Sequence, residues 1–164
     1  MKKTQRLSAL ALTVAVAMLL SFIESRLPSF TAIPGIKVGL ANIAVTFALY
    51  RIGTRDAILV SAVRVVLVSL LFGSPVSMLY GLAGAVLSLA LMSLLKHISP
   101  LSPIGVSVAG GVTHNLGQIA LACLLLRSAT VFYYLPVLIL TGTVAGTVTG
   151  IAAGIIIKRI PSIK

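Results

Sequence analysis

Residues 131–157 read VFYYLPVLILTGTVAGTVTGIAAGIII, a run of 27 residues without a charged side chain. About 20 such residues in a helix are enough to cross the hydrocarbon core of a bilayer. Gly142, Gly146, Gly150 and Gly154 recur every four residues, so they form a stripe on one helix face. A stripe of small residues lets another helix approach closely. The run therefore predicts a transmembrane helix with a tight neighbour, which we expect within this chain's own bundle rather than on another subunit.

The rest of the 164-residue chain has the same character. It is 59% hydrophobic and only 9% charged, and its mean hydropathy is +1.16. A soluble domain carries about 25% charged residues because its surface must be solvated. We therefore expect a single integral membrane domain over residues 1–164, with lipid in contact with most of its surface.

Charges, prolines and glycines divide the chain into six apolar segments, and these predict an all-α, polytopic membrane bundle of about six transmembrane helices. The segments are residues 7–25, 38–50, 55–72, 76–95, 104–126 and 131–157. The first is longer than a signal-peptide core and no clear cleavage site follows it, so we interpret it as a retained helix. The second is too short to cross alone, so residues 30–37 are expected to dip into the membrane and to form a wall of a site.

The charge is strongly positive, with 13 Lys and Arg against 2 Asp and Glu. The basic residues stand mostly at segment ends, which suits membrane topology and contact with anionic lipid, and we expect no binding of nucleic acid. If the N-terminus is cytoplasmic, nine basic residues face inside and three face outside. The inside set is Lys2, Lys3, Arg6, Arg51, Arg55, Lys96, Lys158, Arg159 and Lys164, and the outside set is Arg26, Lys37 and Arg127. This asymmetry predicts that both termini are cytoplasmic.

Arg64 lies near the middle of the third segment, where a charged side chain costs roughly 2.5–3.5 kcal/mol on insertion scales. Its side chain cannot easily reach the membrane surface, so a counter-ion or a bound anion is expected beside it. Glu24, which ends the first segment, is the only plausible acidic partner. We favour a ligand-binding role for Arg64 over a structural salt bridge. For Glu24, a solvated residue at the membrane surface is an equal alternative.

The stretch PGIKVGLAN, residues 34–42, is an irregular lead into the short second segment. Lys37 is expected near the first helical turn, where a cation beside unpaired backbone N–H groups makes an anion site. A solvated lysine at the membrane surface is the alternative, and position alone slightly favours it. Asn42 is expected about one turn deeper. Asp56, the second acid, is interpreted as a structural residue at a helix start.

The fifth segment has one polar face, because Gly111, His114, Asn115 and Gln118 stack at spacings of three and four residues. Three polar side chains flanked by glycines indicate a lined cavity rather than a single contact between helices. No metal site is expected, because the two histidines are far apart and no carboxylate cluster supports them. The chain has one Cys and one Asp, and no nucleophilic triad, paired carboxylates or phosphate-binding loop. We therefore expect neither catalysis nor a cofactor.

Four features together resemble the membrane family called "Gx transporter" or "heptaprenyl diphosphate synthase component I". They are Glu24, Pro34-Gly-x-Lys-x-Gly-Leu-Ala-Asn42, the intramembrane Arg64 and Gly110-Gly-x-x-His-Asn-x-Gly-Gln118. By extension the chain is similar to the S components of energy-coupling factor (ECF) transporters. Those six-helix proteins capture vitamins or similar small molecules from outside, and they pair with a transmembrane T component and two ATPase subunits.

The resemblance implies a prokaryotic plasma-membrane subunit that binds a small, anionic, partly apolar substrate for an energy-coupled importer. It implies an outward-opening pocket lined by Glu24, Lys37, Asn42, Arg64, His114, Asn115 and Gln118, and a contact of Ala11-x-x-x-Ala15 with the T component. The synthase name implies an alternative, an accessory membrane subunit of isoprenoid or quinone biosynthesis. A structural bundle without a ligand is a third reading.

Overall fold

The computed structural model describes residues 3–26, 39–98 and 101–161. These ranges contain six α-helices and no strand, which confirms the predicted all-α fold. The helices are α1 (Lys3–Arg26), α2 (Asn42–Arg51), α3 (Thr54–Phe72), α4 (Pro75–Ile98), α5 (Pro103–Leu126) and α6 (Leu135–Arg159), with a 3-10 turn over Ala129–Tyr134 before α6. Each predicted segment corresponds to one helix.

The helix starts follow from local sequence. Ser74 and Ser77 cap the start of α4 reciprocally, since each hydroxyl accepts a hydrogen bond from the other residue's backbone N–H. At α5, the Ser102 hydroxyl accepts from the backbone N–H of Gly105, and Pro103 occupies the first turn. These caps fix the residues at which α4 and α5 begin.

Four helices of the described chain are long and apolar enough to cross a membrane, namely α1, α4, α5 and the stretch Ala129–Arg159 that contains α6. α2 has only 10 residues, and α3 carries Arg55, Asp56 and Arg64 within 19 residues. Large apolar side chains cover the outside of the bundle, as lipid requires. The molecule is a membrane helical bundle in which the short α2 and the charged α3 differ from the rest.

The glycine stripe of α6 packs against α5, as favoured from the sequence. A Cβ atom on Gly146 would lie 2.6 Å from the Cα of Val108, and one on Gly150 would lie 2.8 Å from the Cα of Ile104. Gly154 differs, because a Cβ there would meet no heavy atom of the described chain within 4 Å. The stripe therefore brings two backbones together over most of its length, within this chain's own bundle.

Polar contacts at one end of the bundle tie helix ends together. Arg6 at the start of α1 pairs with Asp56 at the start of α3, with 2.7 Å between Nη2 and Oδ1. Arg51 at the end of α2 donates to the carbonyl of Ile157 on α6. Asp56 lies in the first turn of α3, as expected, but it is also buried and has an ion-pair partner on another helix. Sequence reasoning missed that partner because 50 residues separate the two.

Candidate functional site

Arg64 projects from α3 into the interior of the bundle. Its Nε atom is buried and has no hydrogen-bond partner in the part of the chain that the structure describes. Glu24, on the last turns of α1, is the carboxylate that interacts with it electrostatically. The two are not in ion-pair contact, since the only ion pair found among the described residues joins Arg6 and Asp56. The Arg64 charge is therefore only partly compensated.

A cavity of about 90 Å³ lies beside Arg64, and five helices contribute to its wall. Six of the seven predicted site residues line it, and the seventh, Lys37, lies outside the described residues. The described lining is Glu24, Gly39, Asn42, Arg64, Gly111, His114, Asn115, Gln118, Gly142, Ala145 and Gly146. The fold thus brings together residues that are up to 94 positions apart in sequence (Glu24 and Gln118). Their role in binding a substrate stays a prediction.

Glu24 is held in place by the backbone that precedes α2. Its Oε1 atom accepts a hydrogen bond from the backbone N–H of Gly39 at 2.5 Å. Gly39 has a φ of +74°, in the left-handed region that favours glycine. A Cβ there would lie 3.2 Å from Nδ2 of the Asn42 side chain. Of the two alternatives for Glu24, the structure shows a half-buried, hydrogen-bonded carboxylate at the cavity wall.

Polar side chains on one face of α5 line the cavity, and one of them also bonds to α6. Asn115 donates its Nδ2 hydrogen to the carbonyl of Leu138 on α6, at 2.7 Å. The Nε2 atoms of Gln118 and His114 lie 3.4 Å apart. One of these side chains can therefore hydrogen-bond to a ligand while the other holds the first in position. Asn115 therefore fixes the spacing of two walls, whereas His114 and Gln118 present nitrogen atoms to the cavity.

Gly84 on α4 makes room for the His114 ring. A Cβ atom on Gly84 would lie 2.8 Å from Cε1 of His114, closer than real Cβ contacts allow. Sequence reasoning did not connect Gly84 with His114, because nothing local reveals which side chain a glycine accommodates. The signal is the spacing Gly84-x-x-x-Ser88, and both residues are buried.

A second, smaller cavity of about 10 Å³ continues from the first toward the end of the bundle that holds the Arg6–Asp56 pair. It shares Asn42, Arg64, Gly111 and His114 with the larger one. Four hydroxyl residues, Thr46, Ser61, Ser88 and Ser107, complete its polar lining. Sequence reasoning missed Thr46 and Ser61 because hydroxyls in apolar helices usually bond to their own backbone.

The predicted partner contact lies on the opposite side of α1 from the core. Ala11 and Ala15 are both exposed, and the neighbouring Leu12 and Leu19 are 67% and 61% exposed. Small side chains between large ones leave a shallow strip on which another helix could pack. The face is free for such a contact within this chain, and the contact itself stays a prediction.

In chemical terms the described residues of the site offer one cation, several neutral hydrogen-bond donors and one acid. Among residues 3–26, 39–98 and 101–161, no three His, Cys, Asp or Glu side chains are grouped to hold a metal ion. A guanidinium with unused N–H groups in a low dielectric favours an anionic partner. The arrangement suits recognition of a small anion with further hydrogen-bonding groups.

Comparison with known families gives a match over residues 13–156 to the family described as "heptaprenyl diphosphate synthase component I". The matched region contains every described residue of the larger cavity. A search of curated proteins found no match. Because the family match covers 144 of the 164 residues, the chain belongs to the heptaprenyl diphosphate synthase component I family.

Proposed function

We propose that this protein is the substrate-binding subunit of an energy-coupled importer, similar to an ECF S component, for a small, anionic, partly apolar molecule. The observation that carries the proposal is Arg64, whose buried Nε atom has no hydrogen-bond partner in the described chain and which faces a cavity. A guanidinium at membrane depth without contact to its nearest acid needs a further partner. An anionic group on a ligand meets that need.

The cavity sets the size and the polarity of the ligand. A volume of about 90 Å³ holds roughly six to nine water-sized groups. Gly142, Ala145 and Gly146 on α6 supply backbone and small apolar surface, and His114 and Gln118 on α5 supply nitrogen atoms. A small molecule with one charged end and some apolar surface matches this lining.

Energy for import would come from partner subunits, since the sequence has no phosphate-binding loop for ATP. The exposed strip around Ala11 and Ala15 would contact a T component that carries the ATPases. In this proposal the protein lies in a prokaryotic plasma membrane, with both termini cytoplasmic, as the distribution of Lys and Arg favours. The basic end of the bundle would then contact anionic lipid of the inner leaflet.

The test is the identity of what the protein carries. Wild type and Arg64→Ala would be purified in mild detergent and their bound small molecules released and identified by mass spectrometry. We expect a small anion with the wild type and its loss with Arg64→Ala, with the unfolding profile retained. The matched control is Arg55→Ala, which removes an exposed arginine of the same helix. Equal recovery of the anion from Arg64→Ala would contradict the proposal.

The family description favours a second candidate function, an accessory membrane subunit of isoprenoid or quinone biosynthesis. In that role the chain would assist a soluble prenyl synthase without supplying the catalytic groups. Product formation by such a synthase, measured with and without this protein in vesicles, separates the two candidates. Co-purification with ATPase subunits favours the importer, whereas a rise in prenyl product favours the accessory role.

A further inference from the structure

Thr46 differs from the other intramembrane threonines of this chain. Its side chain is fully buried, at 0% exposure, yet its Oγ1 atom has no hydrogen-bond partner in the described residues. A threonine in an apolar helix normally donates to the carbonyl three or four residues earlier. Six others here do so, namely Thr13, Thr113, Thr141, Thr143, Thr147 and Thr149. A buried hydroxyl left unpaired destabilises a fold, so its presence calls for a partner from outside the chain.

Thr46 lines the second, smaller cavity described above, which we call the inner cavity. This cavity contains a second unpaired donor. Arg64 lines it together with Thr46, and the Arg64 Nε atom is likewise buried without a partner in the described chain. Ser61, Ser88 and Ser107 add hydroxyl groups to the wall. Of the residues that the structure describes, no carboxylate reaches this cavity, because Glu24 lines only the larger one. The inner cavity therefore has two unpaired donors beside a fixed positive charge, in a wall that also contains apolar side chains such as Val45 and Leu89.

The volume of the inner cavity limits what can enter. About 10 Å³ is room for about one water-sized group. One oxygen of a planar carboxylate meets that limit. A phosphoryl group could also place one oxygen there, but its other two oxygens, spread around a tetrahedral centre, need more room at the cavity mouth than a planar carboxylate does. Guanidinium groups also match the planar geometry of carboxylates well.

We propose that the inner cavity is a carboxylate subsite, in which one ligand oxygen accepts hydrogen bonds from Thr46 Oγ1 and Arg64 Nε. The rest of the ligand then occupies the larger cavity between Glu24 and Gln118. This inference rests on the proposed function, because it names the anionic group of the same ligand. It favours a carboxylate over a prenyl diphosphate as the group bound at Arg64.

The experiment compares three four-carbon probes on the full-length protein in detergent: butanoate, butylphosphonate and 1-butanol. Binding would be followed by saturation-transfer NMR and by the shift of the thermal unfolding midpoint. We expect butanoate to bind at least about tenfold more tightly than butylphosphonate, as a lost hydrogen bond to a charged group implies. Butanol, which lacks the charge, should show no saturable binding.

Substitutions at Thr46 separate recognition from folding. Thr46→Val should weaken butanoate binding about tenfold without lowering the unfolding midpoint, because it removes a hydroxyl that has no partner. Thr46→Ser should restore binding. Thr113→Val is the matched control, since that hydroxyl bonds to its own helix and lines neither cavity, and it should leave binding unchanged.

Two outcomes would overturn the carboxylate subsite: equal or tighter binding of butylphosphonate, or unchanged butanoate binding by Thr46→Val. The absence of saturable butanoate binding would overturn it as well, and would indicate that Thr46 and Arg64 merely hold a water molecule. None of these results would by itself reject the importer. A small phosphorylated ligand, recovered from the wild type and lost with Arg64→Ala, would leave the proposed function standing and remove only this inference.

Discussion

The two halves of the bundle are held together by different means. In the half formed by α4, α5 and α6, glycines let helix backbones meet, as Gly146 does against Val108. In the half formed by α1, α2 and α3, buried side chains such as Ala17, Ala48 and Val60 pack into an apolar core, and polar side chains add links such as Arg6 with Asp56. The larger cavity lies between the halves, with residues of both in its wall.

The two halves should therefore differ in how well they tolerate substitutions. Contacts between backbones cannot adjust to an added side chain, so the α4–α6 half acts as a rigid wall. The polar links of the α1–α3 half each depend on one side chain, so a substitution there removes a single contact and leaves the packed apolar side chains in place.

The largest effect is expected from Gly146→Leu and Gly150→Leu. Each side chain would be forced into the backbone of α5, at the Cα atoms of Val108 and Ile104. Backbone atoms cannot move aside as a flexible side chain can. We therefore expect each substitution to lower the free energy of unfolding by more than about 3 kcal/mol. Thermal unfolding and size-exclusion profiles in detergent measure it.

Gly154→Leu is the matched control for that prediction. It belongs to the same four-residue repeat, but a Cβ atom there has open space. We expect its unfolding midpoint to equal that of the wild type. Equal stability of all three leucine variants would show that the stripe does not make the rigid wall described here.

A smaller effect is expected from breaking the ion pair that joins α1 to α3. Arg6→Ala leaves the Asp56 carboxylate, whose side chain is 8% exposed, without its cation. The Arg6 side chain is 53% exposed, so water can partly replace it. We expect the substitution to lower the free energy of unfolding by about 1 to 3 kcal/mol. Unfolding in detergent measures the loss. Asp56→Asn should reduce the cost of Arg6→Ala in the double variant, and strictly additive effects would contradict the pair.

A modest effect on ligand recognition alone is expected from Gln118→Ala. Its amide is neutral and its Nε2 atom lies 3.4 Å from His114 Nε2. Removal of one neutral hydrogen bond costs about 0.5–1.5 kcal/mol, which weakens affinity by roughly two- to tenfold. Titration of the released and identified ligand onto the purified variants measures it. A loss as complete as that of Arg64→Ala would mean that Gln118, and not the arginine, dominates binding.

The fold was largely predictable because hydrophobic length is a strong signal in a membrane protein. The six apolar segments became six helices with boundaries shifted by only a few residues. Several residues that line the cavity were also recognisable, since Arg64 and the Gly111–Gln118 face carry polarity where lipid would expel it. That signal is local, because a polar residue inside an apolar segment is visible in the sequence even when the packing of the helices is not known.

The missed features depend on which helices pack together. Thr46 appears ordinary in the sequence, and only its burial without a partner distinguishes it from six other threonines. Arg6 and Asp56 are each unremarkable at a helix start until the structure places them 2.7 Å apart. Gly84 and His114 come into contact only because α4 and α5 pack closely. Periodicity along one helix carries no information about such pairs.

The smallest effect on the isolated protein is expected from Ala11→Leu. Ala11 is exposed on the outer face of α1, so a leucine there would meet lipid, and we expect a change in stability within about 0.5 kcal/mol. Ligand affinity should also match the wild type, because Ala11 lines neither cavity. Under the importer proposal the same change should reduce co-purification with the T component, since the bulk fills a strip on which a helix would pack. Ala120→Leu, at an exposed position on α5, is the control and should leave co-purification unchanged. If Ala11→Leu retains the partner while Ala120→Leu loses it, the contact belongs to the rigid half of the bundle, and the assignment of the α1 strip would have to be withdrawn.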